Sequence, residues 1–176
     1  ANNLAGQKKT RFAVVRYGNV INSRGSVIPF FKKMILEKNF FPVTHKDMTR
    51  FFIKVEDGVK FVIKSFERMF GGEIFIPKVD SIKIIDIART INPRAKIKII
   101  GIRPGEKMHE ILCPQDEAHL TLEFKDHLVI KPSIGLDIKS NYKINAIKEK
   151  GKKVSNSFEY VSNKNKFLSL NNIKKI

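Results

Sequence analysis

"TRFAVVRYGNVINSRGSVIPFFKKMILEK", residues 10–38, decides how the rest of the chain is read. Its first eleven residues hold a near-continuous apolar run, which predicts a strand buried on both faces. The loop "INSRGS" (21–26) follows, and "VIPFFKKMILEK" (27–38) has apolar residues at helical spacing with Pro29 near its first turn. A buried strand, a polar loop and a helix in that order are a building unit of α/β folds, where ligand-binding loops follow strands. In the wider loop "RYGNVINSRGS" (16–26) Asn19 offers donor and acceptor groups, Ser23 a hydroxyl and Arg24 a guanidinium suited to phosphate. A solvated turn accounts for the same spacing equally well.

The alternation continues downstream. "FFPVTHKDMTRFFI" (40–53) reads as extended chain around a turn, and "VEDGVKFVIKSFERM" (55–69) as a helix with Val59, Val62, Ile63 and Phe66 at helical spacing. Gly71 and Gly72 stop that helix, and "EIFIPKV" (73–79) reads as a short strand. "SIKIIDIARTI" (81–91) is predicted as a helix capped by Ser81 or Asp80 and closed by "NPR". "KIKIIGI" (96–102) is a further strand, "GEKMHEILC" (105–113) a short helix, and "HLTLEFKDHLVIKPS" (119–133) one or two strands. Strand and helix alternate three times, so the fold class is α/β with some parallel pairing. The opening "ANNLAGQKKT" (1–10) reads as the polar end of a helix stopped by Gly6. From about Ser140 the chain is rich in Lys, Asn and Ser, which predicts a peripheral or partly disordered tail.

Composition narrows the class. The 176 residues suit one domain, or one and a small appendage, and 42% hydrophobic with 29% charged residues is ordinary for a globular protein. No apolar run is long enough to span a bilayer, and no signal peptide is legible, so the expected location is the cytoplasm, away from any membrane. The single Cys113 gives neither an internal disulfide nor a metal cluster and suits a small buried hydrophobe. The formal charge of +17 admits a partner such as nucleic acid, a membrane surface or a small anion. Lysines spread along the whole chain, without RNP-like aromatics, zinc-finger spacing or basic heptads, disfavour nucleic acid.

Three residues outside the first loop invite a ligand reading. Arg50, in "DMTRFFI", lies between a polar turn and an apolar strand, where a snorkelling or ion-paired arginine is the plainer explanation. Arg103 and Glu106 stand in "RPGEK" after a strand. An arginine there could clamp a pyrophosphate with help from the next helix N-terminus, and Glu106 could accept from a ribose diol. Glu106 equally suits the first turn of a helix. No GxxxxGK[ST], GxGxxG, GxSxG or HExxH pattern is present, and four scattered histidines make no metal site.

Taken together, "RFAVVRYGNVINSRGSVIPFF", "MTRFFI", "GGEIFIPKV", "IIGIRPGEKMHEIL", "DEAHL" and "FEY" are similar to the C-terminal half of the inverting UDP-N-acetylglucosamine 4,6-dehydratases. These are extended short-chain dehydrogenases/reductases related to CapD-like polysaccharide biosynthesis proteins. The resemblance covers nearly all of residues 1–162 and is most specific in "RYGNV…SRGSV" and "IRPGEK". It implies the C-terminal part of an extended Rossmann-type NAD(P)-binding fold with its substrate-binding subdomain. In that scheme residues 1–28 end the cofactor domain, 29–135 form the nucleotide-sugar region and 136–176 are an extension.

The implied reaction moves hydride from the sugar C4 to NADP, eliminates water across C5 and C6 and returns hydride to C6 with C5 inverted. The resemblance places it at the head of pseudaminic acid synthesis for flagellin glycosylation. It also puts Asn19 on the substrate and Val20, Ile21, Asn22, Ser23 and Arg24 along NADP. Arg50 and Arg103 then grip the diphosphate of UDP-N-acetylglucosamine, and Glu106 meets its nucleoside. Asn22 departs from the family's usual glycine. The family's glycine-rich turn and Tyr-x-x-x-Lys motif match nothing here, so no catalytic residue is assigned. The isolated chain is expected to be inactive, to pair with a separate N-terminal half and to oligomerise as the family does. A polyanion- or nucleic-acid-binding module, a related epimerase and a 5-retaining dehydratase are the alternatives.

Overall fold

The computed structural model describes residues 10–133 and 141–175. The proposed helix end at the N-terminus therefore lies outside the described residues. The chain divides into two compact units. One takes Ala1–Tyr17, Glu56–Lys78 and Leu112–Tyr160, the other Gly18–Val55, Val79–Ile111 and Val161–Ile176.

The second unit carries most of the predicted site. In chain order its early elements are β2 (Asn19–Val20), α1 (Val27–Lys38), β3 (Phe40–Val43) and β4 (Thr49–Ile53), preceded by β1 (Val14–Val15) of the first unit. The bounds of α1 coincide with "VIPFFKKMILEK". Asn39 ends it in the left-handed region at φ 52°, a conformation asparagine tolerates better than other side-chain-bearing residues. β2 pairs parallel with β4, and β4 pairs antiparallel with β6 (Ser81–Lys83). β3 pairs parallel with β7 (Lys96–Ile99). Phe31, Phe41, Val43, Phe52, Ile82 and Ile87 lead the core of this unit, and Ile173 of the short α4 (Leu170–Lys174) joins it.

The first unit is built around a five-stranded sheet in the order β1-β5-β10-β9-β11. Here α2 is Val55–Arg68, β5 Ile74–Pro77, β9 Thr121–Glu123, β10 His127–Ile130 and β11 Lys152–Lys153. β1 runs parallel to β5, and the other pairings are antiparallel. Phe61, Met69, Phe75, Leu122, Phe124 and Val129 form its core. Two short strands, β8 (Ile111–Cys113) and β12 (Tyr160–Val161), span places where the chain leaves one unit for the other.

Several sequence expectations are corrected. The run 10–20 is not one doubly buried strand: it breaks into β1 and β2, and Val14 is 38% exposed. Gly18 sits in the break because a Cβ there would lie 2.5 Å from the Phe51 carbonyl oxygen, so only glycine permits the close approach to β4. The segment 81–91 begins as β6, and α3 covers only Ile84–Ile91, with Lys83 at its N-cap. Ser81 instead accepts Leu168 N–H and donates its own N–H to Lys166, tertiary bonds that outcompete helix capping. The predicted helix at 105–113 is a turn running into β8. The Lys/Asn-rich segment is not peripheral throughout, since Asn145, Val161, Ser162 and Ile173 are buried.

Candidate functional site

The turn after β7 is fixed by its own sequence. Pro104 supplies φ near −65°, Gly105 adopts φ 78°, and Glu106 N–H donates to Arg103 C=O at 3.0 Å, the pattern of a type II turn. The Glu106 carboxylate tightens it by accepting Arg103 N–H at 3.3 Å and the Thr44 hydroxyl at 3.3 Å. Thr44 stands just past the end of β3, and Ile100 N–H donates to Val43 C=O at 3.0 Å. Because β3 and β7 are parallel, both loops open at the same carboxyl end, where open α/β sheets place their ligands.

At that end lies a cleft of about 360 Å³. Asn19, Arg50, Arg103 and Glu106, all four predicted substrate residues, line it together. Gly25, Ser26 and Val27 bring the N-terminus of α1 to the same wall. Such a terminus has first-turn N–H groups without intrahelical acceptors and a partial positive charge. Phe30, Phe52 and Ile100 supply apolar surface.

Arg50 is less free than its sequence context implies. Its Nη1 donates to the carbonyls of Thr49 at 2.7 Å and Met108 at 3.1 Å, and its Nη2 to Lys107 at 2.6 Å. Nε lies 3.8 Å from Glu110. Burial pulls the Arg50 guanidinium below its ordinary pKa, and Glu110 and Glu106 only partly offset that. Behind it the Thr49 hydroxyl bonds His109 Nδ1 at 2.8 Å and the Ser162 hydroxyl at 2.6 Å, and Ser162 Oγ accepts Glu110 N–H at 2.9 Å. Burial and the nearby Arg50 cation push the His109 imidazole down. This polar backing ties the Arg50 strand to residues 107–110. Sequence reasoning missed it, because Ser162 lies more than a hundred residues from Thr49 in an unpatterned segment.

The five residues predicted along the cofactor do not act as one group. Ile21 is in the core and donates its N–H to Ile53, while the Ser23 hydroxyl closes its own turn on Val20 C=O at 2.9 Å. Asn22 adopts φ 58°, a left-handed conformation that asparagine tolerates, so a side chain is accommodated there. It lines a different cavity of about 260 Å³ with Ile87 and Ile173. Val20 is half-buried and Arg24 exposed, leaving Arg24 as the one outward cation of the five. Of the five side chains, the Arg24 guanidinium is the exposed group suited to a phosphate.

Carboxyl ends of parallel strands, a helix N-terminus and two arginines around one cleft define an α/β ligand-binding protein of Rossmann type. The chain belongs to the polysaccharide biosynthesis protein family, whose model matches residues 1–132. It is 56% identical, over 94% of its own length and 50% of the relative's, to UDP-N-acetylglucosamine 4,6-dehydratase (inverting) of Campylobacter jejuni. UDP-glucose 4-epimerase of Rickettsia bellii is 36% identical over 96% of this chain and 49% of that protein. The X-ray structure of Pen from Bacillus thuringiensis superposes with a TM-score of 0.79 at 31% identity, over 97% of this chain and 50% of that one. The chain thus spans about half the length of the relatives it matches. The α/β class and the Rossmann-type kinship expected from the sequence hold. Among the described residues no helix is long and apolar enough to cross a membrane.

Proposed function

We propose that this chain is the nucleotide-sugar-binding part of an inverting UDP-N-acetylglucosamine 4,6-dehydratase. The observation that supports it most is the convergence of Asn19, Arg50, Arg103, Glu106 and the α1 N-terminus on one cleft. Arg103, exposed at the rim, meets the diphosphate. Arg50 works mainly by holding residues 107–108 in place, with a remaining Nη2 hydrogen aimed at the same anion. The spare lone pairs of Glu106 accept a ribose hydroxyl, and Asn19 contacts the sugar. Arg24 touches a phosphate of the cofactor. NADP supplies the hydride chemistry when bound, and the chain's own task is to hold and orient the sugar nucleotide.

The product in this reading is a 4-keto-6-deoxy UDP-sugar of the kind used for pseudaminic acid and flagellin glycosylation, made in the cytoplasm. No residue described here is assigned as catalytic acid or base, so the chain alone binds without turnover. The other half of such a dehydratase, bearing those groups, and a homo-oligomeric assembly complete the enzyme. The 36% identity to a 4-epimerase favours one second reading, in which the same cleft serves epimerisation. Calorimetric titration of the chain with UDP-N-acetylglucosamine tests the proposal. Saturable binding that Arg103→Ala weakens at least tenfold supports it. Equal affinity for any polyanion, with a steep loss in salt, contradicts it. Product analysis of the completed enzyme separates dehydration from epimerisation.

A further inference from the structure

Ser26 occupies the N-cap of α1, with φ −75° and ψ 167°, yet its hydroxyl makes no capping bond. An N-cap serine ordinarily accepts the N–H of the second or third helical residue. Counting from Val27, the third is Pro29, which has no N–H. The sequence Ser-Val-Ile-Pro therefore deletes one of the two donors this hydroxyl could cap. The result is a buried Ser26 Oγ without any hydrogen-bond partner. A buried hydroxyl is ordinarily hydrogen-bonded, so one without a partner within the protein calls for an explanation. Ser26 also lines the 360 Å³ cleft, flanked by Gly25 and Val27.

We propose that Ser26 is a diphosphate-positioning residue: its hydroxyl, turned by rotation about χ1, donates to a phosphate oxygen held by the N–H groups of Val27 and Ile28. This rests on the nucleotide-sugar reading of the cleft. Three donors at one helix N-terminus then face Arg103 across the anion, and the missing capping bond leaves the hydroxyl available. Pro29 takes a definite part. It removes the third-residue N–H that would otherwise hold Oγ in the capping rotamer, so χ1 can turn the hydroxyl proton towards the ligand.

The test is calorimetric titration of UDP and of uridine into the full chain and its variants, with thermal unfolding of each. A hydrogen bond to a charged phosphate is worth about tenfold in affinity, so Ser26→Ala weakens UDP by about that factor and leaves uridine unchanged. Ser26→Thr keeps the hydroxyl and retains UDP affinity. Pro29→Ala restores the N–H that fixes Ser26 in the capping rotamer: it weakens UDP while leaving the unfolding temperature level or higher, which a purely structural role does not predict. If Arg103→Ala abolishes UDP binding while Ser26→Ala binds as the parent does, the Ser26 assignment is overturned and the cleft reading stands. Loss of UDP and uridine alike in Ser26→Ala also overturns it, as a general packing defect. If the parent chain binds no UDP, or neither variant alters it, the cleft reading fails and this inference with it.

Discussion

Arg68 in the first unit and Arg50 in the second are both withdrawn from solvent, yet they are treated oppositely. Arg68 ends α2 with its side chain fully buried, bonding both Asp126 oxygens at 3.0 Å and Glu149 at 2.8 and 3.0 Å. Burial pulls its pKa down, but those two carboxylates more than reverse the effect and it ends above its ordinary value. Arg50 has mainly neutral carbonyls for partners, its nearest carboxylate at 3.8 Å, and its pKa is lowered. An arginine paired with two carboxylates through Nε and Nη2 is a structural clamp, here joining α2 to residues 126 and 149. Arg50, under-compensated at the cleft, is the kind of arginine that the proposed reading sets against an anion.

The largest expected effect breaks the clamp from its acidic side. The double variant Asp126→Asn/Glu149→Gln leaves a buried guanidinium without a counter-charge and destabilises the chain by about 3–5 kcal/mol in urea unfolding. Arg68→Met costs less, since Asp126 and Glu149 are 46% and 37% exposed and rehydrate. Equal losses would refute the asymmetry. Next comes Arg50→Ala. It abolishes UDP-sugar binding and also lowers the unfolding temperature, because the carbonyls of Lys107 and Met108 lose their donors. Arg103→Ala affects binding alone. Identical thermal behaviour in the two variants would remove Arg50 from its bracing role.

Acid should weaken the clamped unit in two stages. His127 is fully buried, stacked on Phe124 at 4.5 Å, and burial outweighs the bond to Asp126 in pushing its pKa below 6.5. The unfolded chain therefore takes up that proton first, and stability present above pH 6.5 declines as pH falls through the folded value. Asp126 resists burial through hydrogen bonds from His127 and Arg68, which hold it at about 2. Its contribution is complete above its ordinary 3.8 and is lost on descent towards pH 2. In His127→Gln, unfolding curves against pH should lose the first stage and keep a smaller second one, sustained by Arg68.

The smallest effect concerns the outer face of α2. Val59, Val62, Ile63 and Phe66 are 44–66% exposed, whereas Gly58, Phe61, Ser65 and Arg68 are buried. Phe66→Lys should change unfolding free energy by less than about 0.5 kcal/mol, as an exposed substitution does.

That helix shows what the sequence conceals. Its apolar spacing revealed an amphipathic helix, but Val59, Val62, Ile63 and Phe66 form the exposed side. The buried side uses Phe61, two small residues and a charge paired with partners 58 and 81 residues away. Local signals were legible where they decide the outcome: α1 matches its sequence bounds, and "RPGE" becomes the turn its Pro and Gly dictate. They failed at 105–113, where Thr49 N–H bonds Met108 C=O and Ser162 holds Glu110 as extended chain, pairings invisible at short range. At the cleft, the residue types were visible and their convergence was not. Ser26 was overlooked although Pro29, three residues on, marks its unusual state.

The most direct measurement is an amide chemical-shift titration of the ¹⁵N-labelled chain with UDP-N-acetylglucosamine, repeated with a short DNA duplex. The account predicts sugar-nucleotide shifts confined to residues 18–31, 42–50 and 100–110, which the duplex does not reproduce. Shifts scattered over the lysines of β11 and α4, the same for both titrants, would contradict it.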